Sequence, residues 1–317
     1  MLRHFLLLSL LASLPAAAQT VAPVPAAPGP AAAEPAATGP KAPALVCAAN
    51  AGWDDPAVPR KIFGNTYFVG TCGISAVLIT SPAGHVLIDT GTAVGAGLIE
   101  ANIRTLGFDP KEVRAIVLSH EHWDHAGGVA ALQAATGATV YARRPAAAVL
   151  ESGSSERSDP QFLIAEKMAP VAGVKRIADD GKIEVGPIAL QAHATPGHTP
   201  GGTSWTWKSC GGEVCHSIAY VDSLTAISDD VFQYGDEAAH PGYLAGFRQT
   251  IEKIGRFPCD ILLTPHQGAS QMWQRLGPDP TQPLVDREAC RAYAARGAKG
   301  LDARIAKEEQ ARAAAKP

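Results

Sequence analysis

Between residues 66 and 263 the hydrophobic pattern switches repeatedly between alternation and helical spacing. Thr66 to Gly70, Ile74 to Thr80 and Gly84 to Gly91 read as strands, close enough in sequence to be antiparallel neighbours. Val94 to Leu106 has helical spacing, with Leu98, Ile99, Asn102, Ile103 and Leu106 on one face, and Gly107 ends it. The apolar, β-branched run Ala115-Ile116-Val117-Leu118 predicts a buried strand, Val129 to Gln133 a helix, and Thr139 to Tyr141 a further strand. Residues 151–170, rich in Ser, Asp and Pro, read as a mobile loop. A second group of strands is predicted at Ile183 to Val185, Ile188 to His193, Thr203 to Lys208 and Ser217 to Asp222. Helix Tyr243 to Ile254 then leads to the strand Ile261 to Leu263, and a long Ala- and Arg-rich helix closes the chain from about Leu284. Strands then helix, twice over, give "α/β or α+β", and periodicity takes the fold no further.

The first 44 residues are of another kind. Arg3 and His4 precede the apolar run Phe5 to Leu14, and Pro15-Ala16-Ala17-Ala18-Gln19 offers small residues for cleavage, so residues 1–18 read as a secretory signal peptide cut after Ala18. The run is too short to span a bilayer, which needs about 20 apolar residues, and no cysteine stands at the cut to carry a lipid. Residues 19–44, almost entirely Ala, Pro, Val and Gly, read as a flexible, semi-extended linker. Residues 45–317 fit one large domain. The expected product is soluble and exported, secreted or periplasmic. A net charge of −3 carries no sign of nucleic-acid binding. Six cysteines, an even number behind an export signal, suggest disulfides, whose connectivity the sequence alone does not choose.

The densest chemistry lies in Ser119-His120-Glu121-His122-Trp123-Asp124-His125-Ala126-Gly127-Gly128, at the turn between a predicted strand and a predicted helix. Such a loop can aim several side chains at one point while its flanks hold it still. His120 and His122 alternate along extended chain and can reach one metal; Asp124 and His125 turn the other way and can serve a second. Zinc accepts both imidazole and carboxylate ligands, usually four in number. Further ligands are then expected at the ends of later strands, and Gly197-His198-Thr199-Pro200-Gly201-Gly202-Thr203 and Leu262-Leu263-Thr264-Pro265-His266 each place a histidine there.

These three motifs, in this order, resemble the metallo-β-lactamase superfamily over roughly residues 60 to 295, and within it the secreted class B β-lactamases of subclass 3. The resemblance implies an αββα sandwich with the metal site on one edge between two sheets. It implies two zinc ions, with His120, His122 and His198 on the first and Asp124, His125 and His266 on the second. A hydroxide bridging the ions would attack the β-lactam carbonyl, with Asp124 orienting it. Ser223 and Thr225 would bind the substrate carboxylate, with Gln161 as a further contact, and a small-molecule β-lactam would be the only partner of a monomer. The cysteine order together with the resemblance favours Cys47 with Cys72, Cys210 with Cys215, and Cys259 with Cys290.

Tyr220-Val221-Asp222-Ser223-Leu224-Thr225 leaves an alternative. In lactonases and glyoxalase-type thioesterases of the superfamily an aspartate near this point bridges both metals, and Asp222 would be that residue. Against a subclass 1 enzyme, no cysteine lies beside Ser223. A serine mechanism is disfavoured because no Ser-x-x-Lys run or Gly-x-Ser-x-Gly elbow occurs. Of the other polar residues, Asp89 is expected to buttress the metal loop through hydrogen bonds, Trp123 to pack within it, and His85, His193, His216 and His240 to stand outside it.

Overall fold

The computed structural model describes residues 47–315 apart from 49 and 278. The expected signal peptide (1–18) and linker (19–44) lie outside the described residues. The chain forms two sheets. The first runs in sequence order from one edge to the other: β1 (Arg60–Phe63), β2 (Thr66–Phe68), β3 (Val77–Ile79), β4 (His85–Ile88), β5 (Val113–Val117), β6 (Thr139–Arg143) and β7 (Lys175–Ile177). Its first four strands pair antiparallel and the remainder parallel. The parallel pairs need crossovers, supplied by α1 (Gly95–Thr105) between β4 and β5, the single turn α2 (Trp123–Ala126) and α3 (Val129–Thr136) between β5 and β6, and α4 (Arg144–Ser152) after β6.

The second sheet is built from β8 (Lys182–Val185), β9 (Ile188–Ala194), β10 (Thr203–Gly211), β11 (Val214–Tyr220) and β12 (Ile261–Leu263), in the order β12-β11-β10-β9-β8. Only β12 is parallel to its neighbour, because α5 (Tyr243–Ile254) carries the chain back along the sheet. Helices α6 (Met272–Leu276) and α7 (Ala289–Ala314) complete the chain.

The strand periodicity accounts for the four layers. In β3 and β4, Val77, Ile79, Val86 and Ile88 face the second sheet, where they meet Leu190, Trp205, Tyr220 and Leu263. The alternate residues Leu78, Leu87 and Ile116 face the opposite way, onto Ile99, Ile103, Leu132 and Leu150 of the helices. On the far side, Ala219 and Leu262 face Phe247, Ile251 and Ile254 of α5 and Tyr293 and Leu301 of α7. Strands buried on both faces read as continuous apolar runs, which is why Ala115 to Leu118 stood out. The sandwich is the αββα architecture that the motifs implied.

All three expected disulfides form: Cys47–Cys72, Cys210–Cys215 and Cys259–Cys290. The last ties the start of α7 to the segment entering β12. Among the described residues no helix is long and apolar enough to cross a membrane. The closing helix begins at Ala289, several residues later than its composition suggested, and β1, β7 and α4 appear where no element was predicted. The segment after α4 contains no helix or strand, but it is tied down at several points described below.

Candidate metal centre

The loops that leave the C-terminal ends of β4, β5, β9, β11 and β12 converge on one edge of the sandwich. From β5 come His120, His122, Asp124 and His125; from β9 comes His198; from β12 comes His266. One donor atom each of His120, His122 and His198 lies within 4.8 Å of the others, and the same holds for His120, Asp124 and His125. Asp124 Oδ2 is 3.0 Å from His125 Nε2 and 3.2 Å from His266 Nε2, and those two nitrogens are themselves 3.2 Å apart. Four ligands at zinc's usual distance of about 2.0–2.1 Å would stand about 3.3 Å from one another. The spacing of this trio therefore suits one small cation, and so does its chemistry, two imidazoles and a carboxylate aimed at one point. All six residues expected as ligands are thus brought together.

Each first-cluster histidine is oriented by a partner on its other nitrogen. His120 Nδ1 meets Asp222 Oδ1 at 2.8 Å, His122 Nε2 meets Asp159 Oδ2 at 3.1 Å, and His198 Nδ1 meets the Thr225 carbonyl at 2.9 Å. In the second trio, His125 Nδ1 lies 3.4 Å from Asp89 Oδ2. An imidazole that donates from one ring nitrogen presents a lone pair on the other, which is the form a metal takes. Asp222 falls in neither donor cluster. Its Oδ1 engages His120 Nδ1, and its Oδ2 is buried with no hydrogen-bond partner among the described residues.

Burial sets the protonation of the metal-free cluster. It pushes His198 down to about 3, with His122 adding repulsion, and holds His120 well below its ordinary value. His125 goes the other way: burial opposes its charge, but Asp124 and Asp89 beside it raise it to about 10. Asp124 correspondingly lies far below the usual carboxylate range, because His125 outweighs the cost of burial. The Asp124–His125 imidazolium–carboxylate pair therefore sits beside neutral His120 and His198, and a cation entering the second trio displaces a proton.

Two buried carboxylates hold the loops of the site, the foreseen Asp89 and the unforeseen Glu121. Asp89 accepts from the Ser119 amide (2.6 Å), the Ser119 hydroxyl (2.7 Å) and the Tyr220 hydroxyl (2.7 Å), the buttressing expected of it but from both sheets. Glu121, between two histidines and buried, accepts from Thr199 Oγ1 and the Gly201 amide, each at 2.9 Å, and so clamps the His198 loop to the His120 loop. The glycines there are needed for close approach: a Cβ on Gly201 would stand 2.3 Å from Glu121 Oε2, and one on Gly202 2.4 Å from Asp222 Oδ2. Only the position of Glu121 inside the motif could have flagged it. Nothing local marks Asp159, which lies 37 residues from His122.

The donors open into a cavity of about 390 Å³ lined by Trp53, Trp123, Gln161, Ile164, Ser223, Thr225, Ile227 and others. Ser223, Thr225 and Gln161 thus all reach it, and Trp123 is a wall residue as well as a packing one, its ring 6.0 Å from that of Trp53. Among the described residues no lysine or arginine lines the cavity. His85, His193, His216 and His240 take no part.

Residues 69–266 match the family model described as the metallo-beta-lactamase superfamily. The chain belongs to this superfamily. Among solved structures, this superfamily member is similar to the Rm3 metallo-β-lactamase, at 46% identity over 81% of this chain and 97% of that one, with a TM-score of 0.79. It is also similar to MEM-A1, a subclass B3 metallo-β-lactamase from a soil metagenome library, at 41% identity over 82% of this chain and 99% of that one, TM-score 0.79. Within the superfamily the structural likeness is thus to subclass B3. Among curated sequences it resembles the N-acyl homoserine lactonase AttM of Agrobacterium fabrum, 27% identical over 56% of this chain and 73% of that protein.

Proposed function

We propose that this superfamily member is an exported zinc β-lactamase that hydrolyses the amide bond of β-lactam antibiotics and so confers resistance, with His120, His122 and His198 holding one zinc ion and Asp124, His125 and His266 a second. The observation that carries the reading is the pair of donor clusters, one of three histidines and one with a carboxylate, opening into a largely apolar cavity that the Ser223 and Thr225 hydroxyls and the Gln161 amide also line. It is supported by the identity to subclass B3 enzymes over nearly their whole length. When bound, zinc supplies a Lewis acid for the carbonyl oxygen and makes water acidic enough to ionise near neutral pH.

The chain's own residues do the remainder. Asp124 Oδ2 lies with the second trio, while Oδ1 makes no hydrogen bond within the described protein and is available to accept one from the attacking water, which orients it. With no lysine or arginine among the described residues that line the cavity, the substrate carboxylate is met by the Ser223 and Thr225 hydroxyls, and Gln161 offers a further amide. Tyr293 of α7 fixes the segment bearing the hydroxyls: its own hydroxyl accepts from the Leu224 amide at 3.3 Å and donates to the Asp222 carbonyl at 3.1 Å. No serine is acylated in this scheme. Three disulfides suit an oxidising compartment such as the periplasm, and the protein acts as a monomer.

The test is hydrolysis of a carbapenem and a chromogenic cephalosporin by the purified protein, with and without a chelator, beside an acyl lactone and a glutathione thioester. Rapid, chelator-sensitive loss of lactam absorbance is expected. Turnover of the lactone or thioester alone would reject the reading and reassign the site to another exported hydrolase.

A further inference from the structure

We propose that Asp159 is a positioning residue that couples cation binding at the His120–His122–His198 cluster to the order of the segment walling the cavity. The inference rests on that cluster being a metal site. His122 stands at the entry to α2, and its Nε2 faces both oxygens of Asp159, at 3.1 and 3.3 Å. That leaves Nδ1 as the nitrogen offered to the cluster. Asp159 is only 2% exposed, and among the described residues no lysine or arginine pairs with it. Among the described residues the His122 ring nitrogen is therefore the one side-chain nitrogen paired with this buried carboxylate.

The same carboxylate organises its own segment. It accepts from Ser155 Oγ at 2.5 Å and from the Gln161 amide at 2.8 Å, closing the turn that carries Gln161 and then Ile164 into the cavity wall. Beyond the turn the segment is pinned from one other side: the Asp229 amide donates to the Pro160 carbonyl and the Leu163 amide donates to Asp229 Oδ2. With neither helix nor strand to hold residues 153–170, these links add to its own backbone turns, in which the Asp159 amide donates to the Glu156 carbonyl and the Phe162 amide to the Asp159 carbonyl, and so help to set its order. A cation on His122 Nδ1 draws electron density from the ring and makes its Nε2–H a stronger donor to Asp159. Binding then tightens the wall, and by linkage an ordered wall tightens binding by the same factor.

The experiment uses the whole protein, its Asp159→Asn and Asp159→Ala variants, zinc titration, and hydrogen exchange of amides 155–166 with and without saturating zinc. In the wild type, zinc is expected to slow exchange across this segment. Asp159→Ala should bind zinc about 10- to 100-fold more weakly and, even at saturating zinc, show no zinc-dependent slowing there. Asp159→Asn keeps an acceptor but not the charge, and should fall between. Failure of the wild type to bind zinc would reject the metal site itself. Wild-type zinc affinity in Asp159→Ala, or undiminished zinc-dependent slowing in it, would overturn the coupling while leaving the metal site standing. Should the alanine variant not fold, the asparagine variant decides: affinity and zinc-dependent slowing both equal to wild type would reject the proposal.

Discussion

Replacing Asp89 asks how much of the site one buried carboxylate holds. It leaves β4 in the left-handed region, φ 61°, wholly buried, with three hydrogen-bond donors on its oxygens. In Asp89→Ala one of those donors has a second acceptor within reach: Tyr220 OH lies 3.3 Å from the Ser75 carbonyl. Exchanging a charged acceptor for a neutral one there costs about 1 kcal/mol. The Ser119 amide and hydroxyl have no such alternative, the hydroxyl because the neighbouring His120 Nδ1 is itself a donor to Asp222, and each buried donor left without a partner costs about 1–3 kcal/mol. Alanine in a left-handed conformation adds about 1 kcal/mol. The sum, about 4–8 kcal/mol, approaches the whole stability of a marginal domain. Asp89→Gly removes only the conformational part and should be about 1 kcal/mol milder than alanine. Asp89→Asn tolerates the backbone and keeps the Ser119 amide satisfied, but its NH2 faces the Nδ1–H that His125 must present while Nε2 takes a cation. It should lose little stability yet bind zinc at least about tenfold more weakly. Urea unfolding in chelator measures the first quantity and zinc titration the second. Asp89→Ala within 1 kcal/mol of wild type (about one conventional hydrogen bond), or Asp89→Asn with unchanged zinc affinity, would refute this account.

Other consequences are equally open to measurement. Gly201→Ala sets a Cβ 2.3 Å from Glu121 Oε2 and 2.7 Å from the Ala146 amide nitrogen, whereas Gly268 has open space around it; the first should lose about 1–3 kcal/mol by overpacking and the second almost nothing, as thermal unfolding will show. Removing both Cys259 and Cys290 by serine substitution opens a 31-residue separation, and urea unfolding should report a loss of about 3–4 kcal/mol on the chain-entropy model. Asp229, pressed upward by burial, is nevertheless held below the usual carboxylate range by amides of Phe232, Leu163 and Val231. Its stabilisation is present above the unfolded carboxylate value of about 3.9 and is lost as pH falls through the lower folded value. The stability gap between wild type and Asp229→Asn should accordingly be wide at neutral pH and close in acid; a gap that does not change with pH would sink the argument.

What could be read from the chain beforehand follows from how locally each signal is written. Strands β3, β4 and β5 are buried on both faces and announce themselves as apolar runs. The edge strands β1 (RKIF) and β7 (KRI) carry Lys and Arg and are half exposed; edge strands are defended by such charges, and the same charges erase the pattern. Helix α4 did have legible marks, a proline in its first turn and Gly153 beyond its end at φ 71°, but the polar residues just beyond it absorbed it into a loop. The six donors were visible because each histidine follows a strand-like run. Asp159 and Glu121 were not, because one lies in an irregular segment and the other gains its role only when the Thr199–Gly201 turn closes over it.

The arrangement of the donors is in turn a property of the core. Metal-site geometry is sensitive to small displacements, and here the donors are divided between two sheets that share no backbone hydrogen-bond ladder. What fixes one sheet against the other beside the site is a small set of polar links in an otherwise apolar interface. Trp205 Nε1, on β10, donates to the Leu118 carbonyl at 2.8 Å, one residue before the His120 loop begins. Tyr220 at the end of β11 donates to Asp89 at the end of β4, and the Thr203 amide donates to the Ser119 carbonyl at 2.7 Å. Each link joins the two sheets within a few residues of a donor, and each is buried, so that breaking one leaves a polar group without water. The apolar packing supplies the adhesion between the sheets, but it is non-directional. These links supply the register, and register is what brings His198 and His266 from one sheet to meet His120, His122, Asp124 and His125 from the other.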